Sequence, residues 1–259
     1  MSENNLFTHH SPLIPVMLLA VTLNLFLVLL VQAVLWGSAF AGIKIGLESL
    51  EAGHLTLLRH LVASLCFIPF LILTKSRLFP NWRDVPFFFF IGFLGYSVYH
   101  TALNYGELNV SAGTASLIIA TAPAFTAIVA YFLLKDKLPV LGWAGILLSF
   151  AGVVLIVLGD TPELGFNLYA LLILLSAIVT ALYATLQRPL FKTYKAVEVT
   201  AFATWAGTIP MFIFLPGFIE DVGGSSLNSL LAGIYIGIFP SAIAYTLFAY
   251  AISKLPVTS

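Results

Sequence analysis

Eight unbroken apolar runs, at about 25–47, 54–74, 84–106, 110–134, 140–158, 166–188, 197–217 and 228–252, take up most of this 259-residue chain. A hydrocarbon layer ~30 Å thick takes about 20 residues of helix to cross, and each run is near that length. None alternates apolar and polar at every second residue, so each reads as a membrane helix and not a barrel strand. The chain is 60% hydrophobic and 8% charged, against roughly 45–50% and 25% in an average soluble domain. No soluble core could enclose that much apolar surface. The expected class is an all-α membrane protein, a polytopic helical bundle.

The few charges are placed unevenly. Lys75, Arg77, Arg83, Lys135, Lys137, Arg188, Lys192, Lys195 and Lys254 fall in the even-numbered connections, and only Lys44 and Arg59 lie around the odd ones. The positive-inside bias therefore puts the amino terminus and the even connections in the cytoplasm of a multi-pass cell-membrane protein. Asp160, Glu163, Glu220 and Asp221 sit on the other side. No basic patch remains beyond what topology explains, so nucleic acid is not an expected partner. The single cysteine, Cys66, lies within the second run and cannot form an internal disulfide. Residues 1 to 12 carry no Lys or Arg, so the stretch from Leu13 to Leu35 reads as an overlong, tilted first helix and not as a signal peptide.

The chain also repeats itself. Residues 91–105, IGFLGYSVYHTALNY, and 236–250, IGIFPSAIAYTLFAY, share an Ile-Gly opening, Thr101 with Thr246 and Tyr105 with Tyr250 at an offset of 145. At an offset of 144, Gln32 to Phe70 overlays Ser176 to Phe214, each a helix, a charged turn and a helix. One unit then spans 25–159 with five helices, and its copy spans 166–259. An odd number of helices makes the copy enter from the opposite face, which gives inverted repeats with a substrate site between them near the midplane.

Three stretches carry a resemblance to a known family: LWGSAFAGIKIGLESLEAGHLTLLRHLVAS (35–64), LNVSAGTASLIIATAPAFTAIVAYFLLKDKLPVLGWAGILLSFAGVVLIVLG (108–159) and IFPSAIAYTLFAYAISKLPVTS (238–259). They resemble the drug/metabolite transporter superfamily, EamA-like branch. The resemblance implies a ten-helix exporter of amino acids or other metabolites with both termini cytoplasmic. Only three helices of the second unit are present, and Leu255-Pro-Val-Thr-Ser aligns with Leu108-Asn-Val-Ser at the threshold of a fourth. The expectation is that two further helices of the copy lie beyond Ser259. The alternative is an eight-helix protein that makes good the loss as a homodimer.

Helical spacing nominates the residues facing a cavity. Gly92, Tyr96, Tyr99, His100, Leu103 and Glu107 share a stripe on the third helix, with Glu107 at an outer end open to water; Gly237, Ser241, Tyr245, Phe248 and Ile252 share one on the eighth. Ser176, Thr180, Tyr183 and Gln187 do so on the sixth, opposite Gln32, Trp36 and Phe40 of the first. Polar groups this deep are costly against lipid, whereas hydroxyl, amide and aromatic groups suit a small polar solute. Trp36, Tyr96, Tyr99, His100, Tyr183, Gln187 and Tyr245 are the candidate substrate-binding residues. Lys44 and Arg59 sit near helix ends, where a long side chain snorkels to the interface; the sharper reading has one of them attract a solute carboxylate or pair with Glu48 or Glu51 as an outer gate. Gly142, Gly145, Ser149, Gly152 and Gly159 form a small-residue seam expected to pack closely. Pro69, Pro123, Pro210 and Pro240 mark kinks.

The other classes weighed are an intramembrane enzyme and a structural or signalling membrane protein. The sequence has no H-E-x-x-H, no G-x-S-x-G, no aspartate pair in an apolar run and no metal-spaced Cys/His cluster. No catalytic residue, metal or cofactor is assigned.

Overall fold

The computed structural model describes residues 13–134, 140–159 and 167–254, so Lys135, Lys137, Asp160, Glu163 and the 255–259 alignment lie outside the described residues. Among those residues all regular structure is helical: α1 (Leu13–Gly46), α2 (Ala52–Leu73), α3 (Trp82–Gly106), α4 (Ala112–Ile119, then Ala122–Leu134), α5 (Val140–Gly159), α6 (Leu168–Leu186), α7 (Ala196–Met211), the short α8 (Phe218–Gly224) and α9 (Leu227–Lys254). Among the described residues seven helices are long and apolar enough to cross a membrane. The eighth apolar run is α5, a 20-residue helix. The protein is a polytopic helical membrane bundle, and α1 has the overlong form expected of it at 34 residues.

The starts and breaks have local causes. Ser111 Oγ, Asn167 Oδ1 and Ser226 Oγ accept orphan backbone N–H groups and so begin α4, α6 and α9. The two pieces of α4 meet just before Pro123, which has no N–H to give the preceding turn, and Thr121 Oγ1 donates to the Ile118 carbonyl there instead. Both α3 and α9 contain a π-helical segment, Phe93–Val98 and Gly237–Ala244, the second around Pro240. A π-bulge inserts an extra residue, so side chains beyond it are turned relative to an unbroken helix.

Several contacts across the bundle join positions one repeat offset apart. Ser64 and Thr208 share a hydroxyl hydrogen bond of 3.1 Å at a separation of 144 residues. Tyr245 Oη and His100 Nε2 lie 3.4 Å apart at a separation of 145. Gly92 and Gly237 play matching parts: an added methyl at Gly92 would strike the Ala203 carbonyl, and one at Gly237 the Arg59 carbonyl. Those glycines let α3 close on α7 and α9 close on α2.

Hydrogen bonds also sort the connections by end. At one end Tyr194 Oη donates to Asp84 Oδ2 and accepts from the Asn81 N–H, and the Arg77 N–H donates to Glu198 Oε1, tying the α2–α3 and α6–α7 connections together. At the other, the Glu51 N–H donates to Asp221 Oδ2 and the Ser226 N–H to Ser49 Oγ, tying the α1–α2 connection to α8 and the start of α9.

The seam expected in α5 is not a contact. Nothing lies within 4 Å of a methyl placed on Gly145 or Gly152, and Leu147, Leu148 and Leu155 on the same helix are exposed. Small residues permit close approach only where a partner helix comes up to them; among the described residues none reaches Gly145 or Gly152, and α5 meets α4 through Trp143 and Phe150 instead.

Candidate functional site

The middle of the bundle is aromatic. Tyr96 from the α3 bulge and Tyr183 from α6 share a hydroxyl hydrogen bond of 3.1 Å. The Tyr245 ring from α9 lies 4.9 Å from Tyr96 and 5.1 Å from Trp36 of α1. Two histidines join this layer with their rings 4.5 Å apart, His60 from α2 and His100 from α3. His60 Nδ1 sits 2.9 Å from the Thr56 carbonyl and His100 Nδ1 3.0 Å from the Tyr96 carbonyl. A carbonyl only accepts, so Nδ1 carries the hydrogen in both rings and Nε2 of the neutral ring is a lone-pair acceptor. The Tyr245 hydroxyl faces that atom of His100; among the described residues His60 Nε2 has no hydrogen-bond partner.

On one side of this layer is a cavity of about 570 Å3, walled by Gln32, Trp36 and Phe40 of α1, Tyr99 of α3, Ser116, Pro123 and Thr126 of α4, Thr180 and Ala184 of α6, and Phe248 and Ile252 of α9. Aromatic and aliphatic walls with a few placed polar groups are the usual make-up of a small-molecule site. The cavity lies toward the end of the bundle that carries Arg188, and the opposite end is laced shut by the Asp221 contacts. An apolar cleft of about 470 Å3 between α3, α6 and α7 has almost no polar lining, which makes it a poor site for a polar solute.

Trp36 and Tyr99 thus line the cavity, while Tyr96, His100, Tyr183 and Tyr245 are buried in the aromatic layer and are not among its walls. Gln187 is fully buried at the end of α6, and among the described residues neither of its amide atoms has a hydrogen-bond partner. The charged residues stand differently from the outer-gate reading. Arg59 does not snorkel: it is 2% exposed, and its Nε and Nη2 both donate to Ser241 Oγ, at 3.1 and 2.9 Å. Lys44 Nζ donates to the backbone carbonyl of Glu107. Glu48 is exposed in a separate cleft beside Ser38 and Tyr235, and among the described residues no ion pair links Lys44 or Arg59 to Glu48 or Glu51. The lacing at that end belongs instead to His54, whose Nδ1 lies 2.7 Å from Asp221 Oδ2.

Glu107 is the largest departure. It does not meet water at a helix end; it is 0% exposed, and its neighbour Gly106 lies against Ile173 and Tyr169. Among the described residues neither carboxylate oxygen has a hydrogen-bond partner. Burial pushes its carboxyl up to about 8, against the pull of the Lys44 and Arg59 cations. Helical spacing also passed over Thr56, His60 and Asn104. Asn104 Nδ2 donates to Thr56 Oγ1 at 2.8 Å, which ties α3 to α2. The available signal was that Thr56 and His60, and Asn104 and Glu107, are spaced four and three apart on helices that otherwise carry little polarity.

Comparison with known proteins agrees with this architecture. The model of the EamA-like transporter family matches residues 23–158 and again 167–259. An uncharacterised transporter of Bacillus subtilis, YdfC, is 40% identical over 220 residues, 85% of this chain and 71% of that protein. A protein of Streptantibioticus cattleyicolor named "Probable terminal-alkyne amino-acid exporter" is 33% identical over 89% of this chain and 77% of its own length. The uncharacterised inner membrane transporter YedA of Escherichia coli is 30% identical over 90% of this chain and 76% of its own length. A solved crystal structure superposes with a TM-score of 0.65 over 91% of this chain and 81% of that one at 17% identity, a likeness of fold.

Proposed function

The chain belongs to the EamA-like transporter family, and from that membership we propose that it exports small polar metabolites of the amino-acid class by alternating access between two inverted halves, 25–159 and 166–259. Transport across a membrane is the activity its relatives are named for, and the amino-acid class draws on one of them, a named amino-acid exporter.

The observation that carries the mechanism is the cavity, which takes walls from α1 and α4 of one half and from α6 and α9 of the other and lies toward the end that carries Arg188. A site between two halves is what alternating access needs, because rocking one against the other moves the opening from one face to the other. The contacts at separations of 144 and 145 support the same reading: two residues at equivalent repeat positions touch each other only where a two-fold axis passes between them. With the amino terminus cytoplasmic, as the Lys and Arg placement indicates, this conformation loads from the cytoplasm.

Purified protein in liposomes preloaded with amino acids, purines or sugars tests the proposal. Protein-dependent release of one or more amino acids is expected. Release of none of the three classes defeats it, and release of purines or sugars alone moves the substrate class.

A further inference from the structure

We infer that Arg59, His60, Asn104 and Glu107 form a head-group site for a free α-amino acid, with the guanidinium taking the carboxylate and the other three the ammonium. This rests on the transport reading above and narrows it from a class of polar solutes to one chemical requirement, both head groups on one molecule.

All four side chains are at most 2% exposed, and each keeps polar atoms without a hydrogen-bond partner among the described residues. An unsatisfied buried polar atom is expensive, so a cluster of them needs an occupant. What is unsatisfied is specific. Ser241 holds one edge of the Arg59 guanidinium and leaves Nη1 as the free donor. Thr56 engages Asn104 Nδ2 and His60 Nδ1, which leaves Asn104 Oδ1 and His60 Nε2 as free acceptors. Both oxygens of Glu107 are free acceptors as well. The cluster is therefore the Arg59 guanidinium beside three acceptor groups, with Lys44, already held by the Glu107 backbone carbonyl, as a second cation near the carboxyl, and an ammonium has three N–H bonds to give. An anion alone would leave the acceptors orphaned, and an amine alone the guanidinium.

The groups sit near one another. Glu107 lies within electrostatic range of Arg59, His60 follows Arg59 on α2, and the Asn104–Thr56 bond fixes α3 against that turn. Tyr99 lines the cavity and is itself within range of both Arg59 and Glu107. A solute entering the cavity therefore meets the Tyr99 ring on its way to the charged pair.

The test uses intact protein in liposomes loaded with the twenty L-amino acids, with the amines left by removing their carboxylates, or with the acids left by removing their ammonium groups, with release read by mass spectrometry. At least one amino acid should leave, with its amine and its acid slower by about tenfold or more, because a site built around buried polar groups rejects an analogue that leaves them unpaired. Glu107→Gln should narrow the gap between amino acid and deaminated acid, and Arg59→Gln the gap between amino acid and amine. Arg59→Lys stands in if the Gln variant fails to elute as a folded species. Equal release of the three forms by the wild type overturns the head-group site and leaves the transport reading intact, as do variants that slow every solute alike. If nothing leaves in any form, the transport reading fails and takes the site with it.

Discussion

The contact at His54 sets a measurable bias on which end of the bundle is shut. Its Nδ1 lies 2.7 Å from Asp221 Oδ2, and its Nε2 lies 3.1 Å from the Pro216 carbonyl. Both ring nitrogens face oxygens, and Asp221 Oδ2 also receives the Glu51 N–H at 3.0 Å. With the His54 side chain 9% exposed and that of Asp221 20% exposed, the contact is sheltered without being dry. Hydrogen bonds to a charged group contribute about 1.5–3 kcal/mol, and a position at the rim argues for the lower part of that range. Asp221→Asn keeps the shape and removes the charge; a loss of ~2 kcal/mol from the closed end alone would shift the balance of conformations by roughly thirtyfold. Spin labels at Glu48→Cys and Asn228→Cys, in a Cys66→Ser background, report the separation of α1 and α9 at that end by pulsed electron resonance. The substitution should move weight to longer distances, and His54→Gln should act in the same direction. Distance distributions indistinguishable from those of the unsubstituted background would refute the idea that this contact holds the end closed.

Other outcomes follow from the same geometry. Release of an amino acid should rise with pH through about 8 as Glu107 ionises among Lys44, Arg59, His60 and Tyr99, since only the carboxylate form attracts an ammonium; Glu107→Gln should flatten the profile of initial rates. Gly92→Ala should cost about 1–3 kcal/mol or more, because the methyl meets the Ala203 carbonyl and the Gly207 backbone, whereas Gly145→Ala should be near neutral; thermal unfolding in detergent compares them. Tyr99→Ala should lower export about tenfold or more with membrane abundance unchanged, because the ring lines the cavity at partial exposure; quantitative blotting beside the efflux assay separates the two effects. A reporter fused after residue 80 should read cytoplasmic and one near residue 162 external, and the reverse pattern would invert the direction of loading.

The helices were legible in the sequence because a bilayer leaves little choice: a continuous apolar run of the right length has one stable form there. The aromatic candidates came from a 3.6-residue period, which holds as long as the helix is regular. In α3 it is not, since the segment Phe93–Val98 changes the phase between Gly92 and Tyr99. Gly92 therefore packs on α7, and of the expected stripe only Tyr99 reaches the cavity wall. Arg59 was misplaced for a different reason. Its distance from a helix end suggests an escape to water, while its actual partner, Ser241, is 182 residues away and carries no sign of the role in its own neighbourhood. Glu107 was misjudged in the same way, because a position at a helix end says nothing of the burial that tertiary packing gives it.

The contacts between equivalent positions are not between identical residues. His100 faces Tyr245, and Ser64 faces Thr208. In a two-fold machine built of identical halves, the conformation open to one side and its mirror partner open to the other would have the same energy. Neither face would then be preferred at rest. A histidine set against a tyrosine lifts that degeneracy at the point where the halves meet, because the swap of roles exchanges a ring nitrogen for a phenol in every contact it makes. On the alternating-access reading proposed above, a resting preference of the empty transporter would draw on mismatched pairs such as these, and making a pair alike should push its resting populations toward equality.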